Sequence, residues 1–151
     1  MPATIVSDTS CLIILNKIRA LYLLQKLFGQ VLITQIVADE FKEKLPDWIS
    51  IQSPADIKNQ LVLESILDKG EASSIALALE KENCLLIMDE SMGRKQAKRL
   101  GLTITGTLGV LAQAKQSGYL TTIRPLLDKI QETDFRLSKQ LIQETLNQVG
   151  E

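Results

Sequence analysis

The chain contains no histidine among its 151 residues. That absence excludes histidine-based triads, His-ligated zinc and most histidine general-base mechanisms. Cysteine is scarce. Cys11 and Cys84 stand alone in apolar runs with no CxxC pair, and they read as small buried hydrophobes of a reducing compartment. Aromatic residues make up only 4%, so the core has to be built from Leu, Ile, Val and Ala. Charge of one sign is not in excess: the formal net charge is -1. That argues against a globally basic nucleic-acid binder and leaves room for a local basic patch. No apolar run approaches the roughly 20 residues of a membrane span. The stretch Met1 to Asp8 lacks the basic, apolar and small-residue regions of a signal peptide. Together these absences predict a soluble, cytoplasmic protein with no membrane partner.

The 45% hydrophobic and 23% charged content is that of an ordinary globular protein. The length suits one domain around a single core. We expect a single domain over residues 1–151, with a core over about 1–117 and a C-terminal helical extension over about 118–151.

Hydrophobic periodicity predicts alternating strands and helices. Thr4 to Ser7 is a β-branched strand, with Ser10 as N-cap of a helix over Cys11 to Leu15. A helix over about Ala20 to Phe28 ends at Gly29. Val31 to Ile33 is a strand, and Thr34 caps a helix to about Lys44, stopped by Pro46. Trp48 to Gln52 alternates like an edge strand, and Ser53-Pro54 opens a short helix to about Leu63. Asp68 to Gly70 reads as a turn before an Ala- and Leu-rich helix over Glu71 to Glu82. Cys84 to Met88 is wholly apolar, as in the centre of a parallel sheet. Helices follow over Met92 to Leu100 and from Thr107 to about Ser117, with Thr103 to Thr105 as a strand between them. Two more cover Thr121 to Glu132 and Ser138 to Val149. The pattern predicts an α/β fold: a three-layer α/β/α sandwich with a central parallel sheet, plus C-terminal helices.

Four carboxylates sit at or just beyond the predicted strand ends: Asp8, Glu40, Glu71 and Asp89. Carboxylates are costly to bury unless a cation or donor meets them. In an open parallel sheet, ligands bind at the strand C-terminal edge. If the four converge there, they form an oxygen-only site suited to Mg²⁺ or Mn²⁺, whose ions can activate water for phosphodiester cleavage. The competing reading is helix capping, since acids at helix starts complement the macrodipole. Asp8, Glu71 and Asp89 fit that description; Glu40, inside a helix beside Phe41, fits it less well.

The segments Ile5 to Ser10, Ala38 to Phe41, Gly70 to Ala78 and Ile87 to Arg94 resemble, in order, the motifs of the PIN-domain nucleases, a family that includes the VapC-type toxins. The run Gly101 to Leu111 with the tail helices is similar to a poorly characterised bacterial PIN-like subfamily. The resemblance implies a metal-dependent endoribonuclease, and with it the toxin of a toxin–antitoxin pair. It implies Asp8, Glu40, Glu71 and Asp89 as catalytic metal ligands for Mg²⁺ or Mn²⁺. The adjacent Glu90 is an alternative fourth acid. Ser10 and Thr107 resemble the supporting hydroxyls. The implied partners are an RNA substrate, an antitoxin protein and a second copy in a homodimer. The place two residues after Gly-Glu, where related sequences often carry an acid, holds Ser73. That departure keeps open a second reading, a catalytically weak or inactive scaffold that binds RNA or a protein.

Arg94, Lys95, Lys98 and Arg99 stack at spacings 94/98 and 95/99. They are candidates for RNA phosphate contacts, against the plainer reading of a solvated basic face at a helix C-terminus. Lys17 and Arg19 are weaker candidates of the same kind. Tail apolar residues such as Ile123, Leu127, Ile130, Leu141 and Leu146 are expected in the core, or on an interface. A phosphoacceptor fold ranks low. The phosphatase pattern wants a second Asp where Ser10 stands, and the receiver pattern wants paired acids where Ser7-Asp8 supplies one.

Overall fold

The computed structural model describes residues 2–151; Met1, where the expected domain and the N-terminal reading begin, lies outside them. The chain runs β1 (Thr4–Ser7), α1 (Thr9–Lys17), α2 (Tyr22–Phe28), β2 (Val31–Ile33), α3 (Gln35–Phe41), β3 (Ile49–Ile51) and α4 (Lys58–Leu63). It continues through α5 (Lys69–Leu79), β4 (Cys84–Ile87), α6 (Ser91–Arg99), β5 (Thr103–Thr105), α7 (Thr107–Gln116), α8 (Arg124–Gln131) and α9 (Lys139–Gln148). The five strands form one parallel sheet in the order β3-β2-β1-β4-β5.

The order follows from which strands can be buried on both faces. β4 is apolar and buried throughout, and β1 is buried from Ile5 to Ser7; both lie inside the sheet, with β1 at its centre. Their register pairs Ser7 with Ile87. β3 and β5, which carry exposed polar positions, lie at the edges. Alternate residues face opposite layers. Ile5, Leu85 and Ile87 pack with Leu12, Leu23 and Leu111 on one side. Val6, Leu86 and Met88 pack with Ala72, Ile75 and Ala97 on the other. The result is the expected three-layer α/β/α arrangement. The tail belongs to the first layer's core: Ile123, Leu127, Ile130 and Leu146 are buried there, while Leu141 stays exposed.

β1 leads outward to β2 on one side and adjoins β4 on the other, so the winding reverses between β1 and β4. Such a switch point opens a crevice at the strand C-terminal ends. Asp8 follows β1 directly, and Asp89 lies two residues beyond β4.

Several boundaries differ from expectation. Asp8, not Ser10, occupies the N-cap of α1, which begins at Thr9. α3 stops at Phe41 rather than near Lys44, because Lys42 turns left-handed (φ 64°) and its N–H closes onto the Ala38 carbonyl. Ser53-Pro54 opens no helix. Instead the Ala55 and Asp56 N–H groups donate to the Glu80 carboxylate (2.9 and 3.0 Å), and α4 starts only at Lys58. Asp68 is the N-cap of α5 rather than part of a turn. α6 begins at Ser91 with Glu90 as its N-cap, and α8 begins at Arg124 rather than Thr121.

Candidate active site

Asp8 is held at the switch point by backbone pairing: its N–H donates to the Ile87 carbonyl (2.9 Å). It sits at an N-cap, yet its side chain makes no capping bond. Capping therefore does not explain the acid. The residue is 4% exposed, and Oδ1 lies 3.5 Å from the Ser74 hydroxyl of α5. Burial raises its pKa to about 7, and the charges of Asp68 and Glu40 add to the rise against hydrogen bonds from Thr9 and Ser74.

Glu40 reaches over from α3. Its Oε1 accepts the Thr9 hydroxyl (2.5 Å), and its carboxylate rests on Gly70 of α5, where any Cβ would land on it. One side chain thus joins α1, α3 and α5. The hydroxyl on α1 that meets a carboxylate is Thr9; Ser10 faces a cleft lined by Thr133 to Phe135 instead.

Glu71, the third residue of α5, closes a capping box with Asp68. Its N–H donates to Asp68 Oδ1 (2.8 Å), and the Asp68 N–H donates to Glu71 Oε1 (3.3 Å). The capping reading therefore holds for Glu71 on one of its oxygens. Burial first, then the charges of Asp68, Asp8 and Glu90, push its pKa to about 7. Ser73 is buried against Thr34 (2.7 Å) and the Gly70 carbonyl (2.8 Å). On this helix Ser74, not Ser73, faces Asp8.

Asp89 and Glu90 divide their roles. Asp89 accepts the Thr107 N–H on Oδ1 (2.7 Å) and the Thr107 hydroxyl on Oδ2 (2.6 Å), which fastens it to the N-terminus of α7. Gly106 leaves room for it, because a Cβ there would come within 2.7 Å of Oδ1. Glu90 caps α6 by accepting the Gly93 N–H (2.9 Å). The buried Cys11 thiol bonds Thr107 and feels the charges of both Asp89 and Asp8. Burial, ahead of those charges, raises its pKa far above the usual thiol range, so it is inert at neutral pH.

Of the basic residues, Arg94 alone returns to the sheet edge, where Nη1 donates to the Met88 carbonyl (2.9 Å). Lys95, Lys98 and Arg99 are exposed along α6.

Asp8, Glu40 and Glu71 meet around the start of α5, with Asp68 and Glu90 as further charges on the same rim. None of them has a protein counter-ion: the one ion pair among the described residues is Lys115 with Glu151. A crowd of carboxylates with no cation is the donor chemistry of a hard divalent ion. It is not a ready-made cage. Among the described residues no group of three or more Cys, Asp or Glu stands in place to hold a metal. The expected convergence of four ligands on one ion is therefore not laid out in these positions. These residues would fit a divalent ion that keeps most of its water and is held through one or two carboxylates.

Thr9, Asp68 and Ser74 join the site although their positions in the sequence do not single them out. The Asp68-x-x-Glu71 spacing is a capping-box signature that marks both the helix start and Asp68's place beside Glu71. The choice of Thr9 over Ser10 depends on where α1 begins, and Ser74 over Ser73 on the rotation of α5.

The sequence model of the PIN domain matches residues 4–151. No curated protein matches the chain. PIN domains are in general nucleases and typically use divalent metals, so the match carries a nuclease-like, hydrolytic function. With the parallel sheet and the acids at its switch point, the match over nearly the whole sequence shows that this chain belongs to the PIN-domain family.

Proposed function

We propose that the protein is a metal-dependent endoribonuclease that hydrolyses RNA phosphodiester bonds with Mg²⁺ or Mn²⁺. The observation that supports this most is the pair Asp8 and Glu71. Both are buried at the strand C-terminal rim, both have pKa values near 7, and neither has a cationic neighbour in ion-pair reach. Asp8 and Glu71 would hold the ion, with Glu40 and Asp68 supplying further negative charge around it. When bound, the ion supplies charge neutralisation and a more acidic water. Thr9 fixes Glu40, and Thr107 fixes Asp89, so both acids keep their orientation. Arg94, which shares the space over Gly106 with Asp89, is a cation placed to meet a substrate phosphate.

RNA as substrate, a role as a toxin checked by an antitoxin protein, and a homodimeric state rest on the resemblance to VapC-type toxins. The test is cleavage of single-stranded RNA by purified protein with Mn²⁺. Asp8→Asn is expected to lower the rate at least a hundredfold while the circular dichroism spectrum persists and the protein stays folded at the assay temperature. Unchanged cleavage by that variant would remove Asp8 from the chemistry.

The second reading, a scaffold with weak or no catalysis, is favoured by one observation: both Asp89 oxygens are occupied by Thr107. Absence of any Mn²⁺-dependent cleavage alongside intact RNA binding would select it.

A further inference from the structure

Three cavities that share lining residues border the α8–α9 segment, the first against α6, β5 and α7 and the other two against α1 and the residues after it. The first, about 390 Å³, opens at the acid rim, where Asp89, Arg94 and Gly106 face Phe135, Arg136 and Leu141. The second, about 260 Å³, shares Phe135 with the first and runs along Ser10, Ile13 and Lys17. The third, about 360 Å³, shares Lys17 and Thr133 with the second and ends among Arg19 and Lys129. From Ser10 to Lys17 the path follows roughly 10 Å of helix axis.

We propose that this path is the binding track for a single strand of RNA leading away from the acid rim, with the C-terminal segment as its far wall. The proposal rests on the nuclease reading and extends it to a part of the chain otherwise accounted for by core packing. Three observations carry it. The path is continuous with the rim, because Asp89 and Arg94 line its first cavity. It is locally basic in a protein of net charge -1: its cations are Arg94, Arg136, Lys17, Arg19 and Lys129, against three acids. Backbone-tracking cations are what a nucleic-acid strand requires. Phe135, half-buried, stands at the junction of two cavities. There a ring offers a sequence-tolerant platform for a base.

The wall is preformed. The Thr133 hydroxyl donates to the Ile130 carbonyl (2.6 Å) and accepts the Phe135 N–H (3.1 Å). Arg136 Nη1 ties back to the Thr133 and Gln131 carbonyls. The loop that presents Phe135 is therefore held by its own hydrogen bonds before any ligand arrives, which lowers the ordering cost of binding.

The test is fluorescence anisotropy with a labelled single-stranded RNA of about twelve nucleotides, without divalent ions, so that binding is read apart from cleavage. Lys17→Ala combined with Lys129→Ala is expected to weaken binding about tenfold and to lower the salt slope by about 0.7 per lysine removed. Phe135→Leu keeps an apolar side chain but removes the ring, and is expected to weaken binding about tenfold; Phe135→Tyr keeps the ring and is expected to bind like the original. RNA that binds all variants as it binds the original protein overturns the track and leaves the nuclease reading standing. So does an original protein that cleaves RNA yet binds none of this strand. Weaker binding in the lysine and leucine variants, together with no Mn²⁺-dependent cleavage by the original protein, supports the track and overturns the nuclease reading.

Discussion

Asp8 and Glu71 set the pH behaviour of the molecule, because each binds its proton more tightly folded than unfolded. Their folded pKa values are about 7, against ordinary values of 3.8 and 4.5. The stability they contribute is fully present below the ordinary values and is lost as pH rises through 7. Glu151 works in the opposite sense. Hydrogen bonds from Thr122 and the Ile123 N–H, with Lys115 nearby, lower it to about 2, so its contribution is lost only in acid below pH 4.5. Between pH 5 and 8 the two raised acids therefore dominate this group of sites. Tm measured by differential scanning calorimetry should fall across that range, and Asp8→Asn should flatten the fall. Mn²⁺ should raise Tm more at pH 8 than at pH 5, because it binds the ionised forms. A second test at this scale is Gly70→Ala. The added methyl lands on the Glu40 carboxylate, which has to swing aside and give up its hydrogen bond from Thr9. Helix propensity favours Ala by about 0.5–1 kcal/mol. Loss of the hydrogen bond is of similar size, so we expect a Tm close to the original with at least tenfold slower cleavage, measured on the same preparation. At this scale the sequence made Asp8, Glu40, Glu71 and Asp89 legible as candidates through their positions after apolar runs. It could not show which hydroxyl on α1 or α5 faces an acid, since adjacent residues are separated only by helix rotation.

At the scale of elements, α5 does most to assemble the rim. Its N-terminus supplies Asp68, Gly70, Glu71 and Ser74 in seven consecutive residues. Asp68 does two opposing things there: it caps the helix, and its charge raises both Asp8 and Glu71. Asp68→Ala should therefore lose about 0.5–2 kcal/mol of cap stabilisation and also shift both acids downward. Urea denaturation across pH would show a less stable protein whose stability changes less between pH 5 and 8. A pH dependence as steep as before would mean that Asp68 does not act on the two acids. Elements with strong apolar periodicity were readable almost to the residue, as with Cys84 to Ile87 and the tail helix capped by Ser138. Those set by a single tertiary contact were not. The stretch around Ser53 to Ile57 looks helical in sequence, but it is drawn out by the distant Glu80 carboxylate. The end of α3 depends on Lys42 adopting a left-handed conformation that nothing local announces.

For the whole molecule, the sheet order explains why acids some 80 residues apart in sequence share one edge. Two adjacent central strands deliver Asp8 and Asp89, and helices from both layers bring Glu40 and Glu71 to the same end. The layered architecture was legible because apolar runs alternate with amphipathic helices. The position of the C-terminal segment beside the acid rim was not, because the docking of α8 and α9 is decided by packing of Ile123, Leu127 and Leu146 rather than by any local pattern. The most direct test of the central claim, that Asp8 and Glu71 hold a divalent ion, is isothermal titration calorimetry with Mn²⁺ near pH 7 in buffers of different ionisation enthalpy. Binding accompanied by proton release, with both lost in Asp8→Asn, is expected, since the ion must displace protons from acids with pKa values near 7. No heat at millimolar Mn²⁺, or the same heat in Asp8→Asn, would contradict it.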